Sequence, residues 1–157
     1  MEKVFIAGTG TEIGKTYVAS RLSESLISQG RRVGVYKPVA SDCTLVGQSG
    51  ELVSEDAVSL WHAAGKPLRL NDVCPQRFTA PLARDEAARR VGTTVAQDLL
   101  IRGAARWEED AEVLIVEGAG GLFSPLADSM LNIDLVKRLD CQKLFLVASN
   151  RLGVIHD

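Results

Sequence analysis

A chain of 157 residues, 46% of them hydrophobic, is long enough to bury one core and predicts a single domain over residues 1–157. Its 18 basic and 20 acidic residues give a net charge of −2, which argues against a nucleic-acid partner because such proteins carry a basic patch. No apolar run approaches the roughly 18 residues of a membrane helix, so no membrane partner is expected. Three cysteines at irregular spacing favour free thiols and a cytoplasmic location.

The first half of the chain alternates short apolar runs with amphipathic ones. These runs predict a strand over Lys3–Ala7, a helix over Gly14–Gln29 and a second strand over Val33–Tyr36. The polar stretch Ser41–Gly50 is predicted to be a loop, and a helix over Glu55–Ala64 follows it.

Prolines interrupt the middle of the chain, and no long element is predicted there. Beyond them, Thr93 or Thr94 is placed to cap a helix that runs to about Glu109. A compact strand is predicted over Glu112–Val116, with a glycine-rich turn over Gly118–Gly121.

The last predicted elements are a helix over about Met130–Leu139 and a strand over Lys143–Ala148. All the predicted strands are apolar on both faces and are separated by helices. This pattern is typical of a mostly parallel sheet covered on both sides, so the predicted fold class is α/β with three α/β/α layers.

The most informative segment is Gly8–Thr16, which lies between the first strand and the first helix. A glycine-containing turn at this position points successive N–H groups at one anion, and the helix N-terminus adds partial positive charge. Lys15 in the first helical turn is unfavourable against the helix dipole unless an anion binds there. The segment departs from the usual phosphate-loop spacing because position 9 is Thr, and an ordinary strand–helix turn is the alternative. We favour a P-loop NTPase-like nucleotide site, with Thr16 ligating Mg²⁺.

Three further charged residues are candidates for this site. Glu117 follows a buried strand, where an acidic residue near Mg²⁺ is expected. Asp56 is a second candidate ligand, although the dipole of its helix also explains an acid in the first turn. Lys37 ends the second strand at the edge where open parallel sheets bind ligands, and it suits either an anionic substrate or a solvated strand end.

Three separated blocks of the sequence are distinctive: the loop Gly8–Thr16, the block Tyr36–Ser41 (YKPVAS) and the block Val116–Asp128 (VEGAGGLFSPLAD). Together they resemble dethiobiotin synthetase. The second block is the discriminating one, because many ATPases share a phosphate loop and a strand-end acid. The resemblance extends over the whole chain.

The resemblance implies an ATP- and Mg²⁺-dependent ligase of biotin biosynthesis that works as a homodimer. Its substrates would be 7,8-diaminopelargonic acid and CO₂, which combine as a carbamate. ATP would phosphorylate the carbamate to a mixed anhydride, and the neighbouring amine would displace phosphate to close the cyclic urea of dethiobiotin.

The resemblance also implies roles for individual residues. Lys15 and Lys37 would be catalytic, the first bridging the terminal phosphate and the second stabilising the carbamate. Thr16, Asp56 and Glu117 would hold Mg²⁺. The residues implied for ATP are Glu12, Ile13, Gly14, Lys15, Thr16, Tyr17, Asp56, Glu117, Gly118, Ala119 and Gly120, and those implied for the substrate are Lys37, Ser41, Gly153 and Val154, the last two reaching across the dimer interface.

The sequence also departs from the family pattern. Gly10 replaces an Asp of the loop, Arg84 and Asp85 replace a Pro-His pair, and His156 replaces an Asn. The part of the family that recognises adenine is expected to lie beyond residues 1–157.

Three alternative functions stay open. The first is a related P-loop amidotransferase or synthetase acting on corrin carboxylates. The second is a switch ATPase of the partition or septum-placement type, which would carry a signature Lys aligned with Gly10. The third is a non-catalytic nucleotide- or protein-binding remnant.

Overall fold

The structure is a computed structural model that describes residues 1–47, 50–79, 92, 94–150, 152 and 154. Strands and helices alternate through these residues. In chain order they are β1 (Glu2–Gly8), α1 (Lys15–Ser28), β2 (Val33–Tyr36), β3 (Val39–Ala40), β4 (Thr44–Val46), β5 (Glu51–Val53), α2 (Glu55–Ala63), α3 (Leu70–Val73), β6 (Gln76–Arg77), α4 (Gln97–Ala105), β7 (Val113–Gly121), β8 (Pro125–Ala127), β9 (Met130–Leu131), α5 (Asn132–Arg138) and β10 (Lys143–Val147).

The central sheet has the strand order β10-β1-β7-β2, and every pairing in it is parallel. β2 is buried along its whole length, and β7 is buried from Val113 to Gly120. Strands that are apolar on both faces can be stabilised only when both faces are covered. The predicted α/β fold with a mostly parallel sheet is therefore confirmed.

The helices lie in two layers. The chain crosses the sheet from β1 through α1 to β2 in one direction, and from β7 through α5 to β10 in the other. Because such crossovers are right-handed, α1 and α5 lie on opposite faces of the sheet. Helix α2 packs on α1, and α4 packs on α5. The connections that leave the neighbouring strands β1 and β7 thus run to opposite faces of the sheet. This divergence leaves a crevice at the carboxyl ends of the two strands, which is where α/β proteins bind ligands.

The core between the sheet and α4 depends on one close approach. A Cβ atom at Gly34 would lie 2.6 Å from Cε3 of Trp107, so only glycine lets this fully buried indole pack on β2. Tyr36 is also fully buried, and its hydroxyl donates to the carbonyl oxygen of Leu99 at 2.9 Å. These contacts fix the end of β2, and with it the position of the following Lys37.

Two predictions in the glycine-rich and polar segments were wrong. Ser41–Gly50 is not a simple loop, because it contains β4 and the turn that leads to β5 in an antiparallel hairpin. Gly118–Gly121 is not a turn but the end of β7, where Gly121 pairs with Gly8. Strand pairing decided both segments, within a hairpin for the first and with the distant β1 for the second, whereas the glycine content alone favoured turns.

Two predicted helix boundaries also differ. Helix α4 starts after Ala96 and ends at Ala105, short of Glu109. The residue before the helix is Ala96, whose N–H (2.7 Å) and carbonyl (3.2 Å) are both bonded by the side chain of Gln76, and no side chain in the described ranges caps the helix. Thr93 lies outside the described residues. Helix α5 starts at Asn132, because the two residues before it form β9.

No helix in the described ranges is long and apolar enough to cross a membrane. All three cysteines are free thiols, as expected. The departures at Arg84, Asp85 and His156 lie outside the residues that the structure describes.

Candidate functional site

A cavity of about 860 Å³ opens at the carboxyl ends of β1, β7 and β2. Its position matches the crevice between the two strands whose connections diverge. The walls combine backbone glycines, hydroxyls, two lysines and four acids. The lining residues are Thr11, Glu12, Gly14, Lys15, Thr16, Lys37, Ser41, Asp42, Asp56, Glu117, Gly118, Gly120, Ser124 and Pro125.

The phosphate loop is fixed on both sides by the sheet. The N–H of Thr9 donates to Val147 O at 3.0 Å, and Gly8 O accepts from the N–H of Leu122 at 3.0 Å. The loop then enters α1 through Gly14, whose φ of 94° is readily available only to glycine. No side chain of a described residue caps this helix start, and an uncapped helix N-terminus that lines a cavity is suited to an anion.

Lys15 is 7% exposed, although it lies in the first turn of a helix. Its Nζ atom donates to the carbonyl oxygen of Gly10, which folds the side chain back over the loop. A buried ammonium at a helix N-terminus is electrostatically unfavourable by itself and is stabilised by an anion between the two. The arrangement suits a phosphate.

Lys37 is a deeply buried cation in the cavity wall, with 2% exposure. Its Nζ atom lies 2.9 Å from Oδ2 of Asp56 and also bonds Oε1 of Glu117. Burial alone lowers the pKa of Lys37, but the charges of Glu117 and Asp56 outweigh burial and hold that pKa above its ordinary value. The ammonium therefore stays charged at neutral pH.

Asp56 reaches the cavity from the first turn of α2, whose start is capped by Ser54 accepting the N–H of Ala57 at 3.3 Å. Burial alone raises the pKa of Asp56. This effect is outweighed by the charge and hydrogen bond of Lys37, a hydrogen bond from Thr16 and the charge of Lys15, which all lower the pKa. The pKa lies below its usual range, so the carboxyl is ionised.

The three predicted metal ligands meet in the same wall. Thr16 Oγ1 donates to Glu117 Oε1 at 3.0 Å and also hydrogen-bonds Asp56. The second oxygen of Glu117, Oε2, is buried and has no hydrogen-bond partner in the described ranges. An orphaned carboxylate oxygen beside a hydroxyl and a second carboxylate is a donor set that fits Mg²⁺.

This donor set is incomplete without a ligand that brings its own oxygens. Among the described residues, no group of three or more His, Cys, Asp or Glu side chains could enclose a metal. Mg²⁺ is commonly held by one or two carboxylates together with substrate phosphates and water, and the geometry fits that mode.

Asn132 holds the end of β7 in place, although no sequence motif singled it out. The side chain is 1% exposed, accepts the N–H of Ala119 at 3.1 Å, and donates to Ala119 O at 2.8 Å and Gly121 O at 2.7 Å. A Cβ atom at Gly118 would lie 2.7 Å from the Asn132 Oδ1 atom. This close packing positions the strand that carries Glu117.

The structure brings most of the predicted site residues to the cavity and leaves some away from it. Ile13 and the buried Ala119 do not line it, and Tyr17 is exposed and faces a separate groove between α1 and α2. Val154 is half-buried and does not line the cavity either, while Gly153 lies outside the described residues. The sequence did not point to Thr11, Asp42, Ser124 or Pro125, which also form the wall.

Comparison with known proteins supports the resemblance. A family model described as an AAA domain matches residues 2–157. The ATP-dependent dethiobiotin synthetase BioD of Caulobacter vibrioides is 40% identical over 98% of this chain and 68% of that protein. The chain belongs to the dethiobiotin synthetase family.

Other members of this family match over a similar range. The protein of the same name from Rhodopirellula baltica is 48% identical over 97% of this chain and 62% of its own length, and that of Bacillus subtilis is 36% identical over 99% and 65%. The chain thus spans less than two thirds of these two relatives. A solved structure of the signal recognition particle receptor FtsY from Elizabethkingia anophelis is 16% identical, with a TM-score of 0.42 over 93% of this chain and 41% of that one.

Proposed function

We propose that this protein carries the catalytic site of an ATP- and Mg²⁺-dependent dethiobiotin synthetase. It would convert 7,8-diaminopelargonic acid and CO₂ to dethiobiotin, with release of ADP and phosphate, in biotin biosynthesis. The observation that supports this most is the buried ammonium of Lys37, which shares one cavity with the phosphate loop. A cation there suits a reaction in which a carbamate faces a triphosphate.

The loop residues bind and orient the phosphates. The N-terminus of α1 and the ammonium of Lys15 face the cavity from one side, so their positive charge is in place before the ligand arrives. Groups fixed in advance need little reorganisation as negative charge develops, and this is the largest contribution expected from the protein. When bound, ATP supplies the phosphoryl group that activates the carbamate.

Thr16, Asp56 and Glu117 would hold Mg²⁺ through the hydroxyl and the carboxylate oxygens. The ion would neutralise charge on the phosphates. Because Glu117 is 1% exposed, its carboxylate keeps one orientation and fixes the ion relative to the sheet.

Lys37 would stabilise the carbamate and the charge that develops as the oxygen attacks phosphorus. In the closing step a C–N bond forms, the C–O bond to phosphate breaks, and the attacking nitrogen gives up a proton. Ser41, half-buried in the same wall, is positioned to hydrogen-bond the substrate. Holding both reactants in one cavity turns the reaction into an effectively unimolecular one.

The homodimer implied by the family is part of this proposal, as is the contact of Gly153 and Val154 with the substrate of the partner subunit. Light scattering during size-exclusion chromatography tests it, with a dimer as the expected mass. Three free thiols are in keeping with a reducing compartment such as the cytoplasm.

The test is product formation. Purified protein is incubated with 7,8-diaminopelargonic acid, bicarbonate, Mg²⁺ and ATP, and dethiobiotin is measured by mass spectrometry. We expect dethiobiotin and ADP in equal amounts, a large loss of both in Lys15→Ala, and normal amounts in Lys137→Ala, which changes an exposed lysine of α5. ADP release without the diamine, or a folded protein that binds Mg·ATP and forms no product, would contradict the proposal.

A further inference from the structure

Asp42 lies at the rim of the cavity, next to Ser41 and between β3 and β4. Its backbone φ is 58°, in the left-handed region that residues other than glycine rarely adopt. Unfavourable backbone conformations of this kind cluster at ligand sites, where the surrounding structure holds them in place.

The chain on both sides of Asp42 is fixed to one residue. The carbonyl of Ala40 accepts the N–H of Phe78 at 2.9 Å, and the N–H of Cys43 donates to the carbonyl of Phe78 at 2.9 Å. Ala40 and Cys43 are both buried. The two hydrogen bonds to Phe78 therefore fix the conformation of the turn, even though the backbone of Asp42 is unfavourable. The turn places Asp42 in the cavity wall.

Among the described residues, the carboxylate of Asp42 has no lysine paired with it, unlike the carboxylates of Asp56 and Glu117. Asp56 and Glu117 are engaged by Lys37, and Glu12 belongs to the phosphate loop. The carboxylate of Asp42 is exposed, and in the described part of the chain no hydrogen bond or ion pair joins it to another side chain. Outside the phosphate loop, Asp42 is the acid in the described part of the wall that is left for a positively charged ligand group.

The interior of the cavity, as far as the structure describes it, has no carboxylate left for such a group. Asp56 and Glu117 are engaged by Lys37 and are the proposed Mg²⁺ ligands. An ammonium of the substrate is therefore directed to the rim, where Asp42 and the preceding Ser41 both line the wall.

We propose that Asp42 binds the substrate amine that is not carboxylated and selects a diamine over a monoamine. This inference rests on the proposed function, since it names a specificity-determining residue of the same site. The carbamate end of the substrate lies against Lys37, and its free ammonium lies against Asp42. The two charges of the substrate thus meet opposite charges at two separate points of the wall.

The experiment compares binding of three ligands by isothermal titration calorimetry at low salt, in bicarbonate buffer so that a carbamate can form. The ligands are 7,8-diaminopelargonic acid and the two monoamines, 7-aminopelargonic acid and 8-aminopelargonic acid. Asp42→Asn keeps the size of the side chain and tolerates the left-handed backbone, so it removes only the charge. We expect it to weaken the diamine and one of the monoamines at least about threefold, as for one exposed ion pair, and to leave the other monoamine unchanged.

Asp140 provides a matched control. It is also exposed and has a φ of 52°, but it does not line the cavity. Asp42→Gly and Asp140→Gly should both raise the melting temperature, because glycine adopts this backbone without strain. Only Asp42→Gly should weaken diamine binding, and a purely structural role for Asp42 would not produce that difference.

The outcomes separate the two claims. Diamine binding that is equal in wild type and Asp42→Asn overturns the assignment of Asp42, as does equal weakening of both monoamines. A folded wild-type protein that binds none of the three ligands overturns the proposed function itself.

Discussion

The ammonium nitrogen of Lys37 lies 2.9 Å from the Oδ2 atom of Asp56. The same nitrogen bonds Glu117, so one buried cation joins the end of β2 to the start of α2 and the interior of β7. The two carboxylates that we propose as Mg²⁺ ligands are thus held together by a lysine. Three groups on three elements form one electrostatic unit at the carboxyl edge of the sheet.

Replacing Lys37 is expected to destabilise the fold as well as to abolish activity. Lys37→Met leaves the carboxylate of Glu117, which is 1% exposed, without its cation. Removing one partner of a buried ion pair costs about 3 to 5 kcal/mol, measured here as the free energy of unfolding in urea. The double variant Lys37→Met/Glu117→Gln should recover part of this loss because the unpaired charge is gone. If Lys37→Met were as stable as wild type, the Lys37–Glu117 pair would not contribute to stability as we expect.

Mg²⁺ alone should stabilise Lys37→Met more than wild type. In wild type the ammonium already neutralises Asp56 and Glu117, whereas in the variant a divalent cation can occupy the site between them. The measurement is the shift in melting temperature on adding MgCl₂, with KCl at equal ionic strength as the control. Equal shifts in both proteins would show that the cation binds elsewhere.

Asn132→Ala should be markedly destabilising. The change removes hydrogen bonds to the N–H and carbonyl of Ala119 and to the carbonyl of Gly121, all at the end of β7. Leaving these groups unpaired costs about 2 to 4 kcal/mol of unfolding free energy. Asn71→Ala is the control, because Asn71 is exposed and its loss should change stability by less than about 0.5 kcal/mol. Similar losses for the two variants would contradict the role of Asn132.

Stability should fall in alkaline solution, partly through Cys74. Burial raises the pKa of this thiol from 9.0 to about 12 in the folded protein. A group with a raised folded pKa contributes its full stability below pH 9.0 and loses it as pH rises towards 12. Between about pH 8 and about pH 10.5 the contribution of Cys74 should therefore fall by about 2 kcal/mol.

The variant Cys74→Ala isolates this effect. It should be less stable than wild type at about pH 8, and the difference should shrink at about pH 10.5 because the titrating thiol is absent. Unfolding curves in urea at the two pH values give both free energies. Parallel losses in the two proteins would mean that the thiol does not titrate as proposed.

Local sequence was sufficient for the elements around the phosphate loop. The amphipathic run over Gly14–Gln29 predicted α1, which begins at Lys15 directly after Gly14. The meeting of Lys37 with Glu117 was also foreseeable, because parallel strands end at one edge of the sheet. A ligand-binding motif that lies within one strand–loop–helix unit can be recognised from sequence because its residues are close along the chain.

The missed features depend on contacts between distant segments. The end of β7 is a strand because Gly121 pairs with Gly8 and Asn132 bonds it, and neither partner is local. Asp42 reaches the cavity because Phe78 holds the chain on both sides of it. Composition around these positions indicated only turns, since the pairing that overrides turn preference comes from the tertiary fold.

The most direct test of the account is a crystal structure of the protein with Mg²⁺ and a non-hydrolysable ATP analogue. We expect the triphosphate in the cavity of Gly14 and Lys15, with Lys15 Nζ on a phosphate oxygen and the ion on Thr16 and Glu117. The proposed nucleotide site would be contradicted by a structure at saturating analogue in which the phosphates lie outside this cavity. In such a structure Lys15 would still bond Gly10, and the ion would be absent from Glu117.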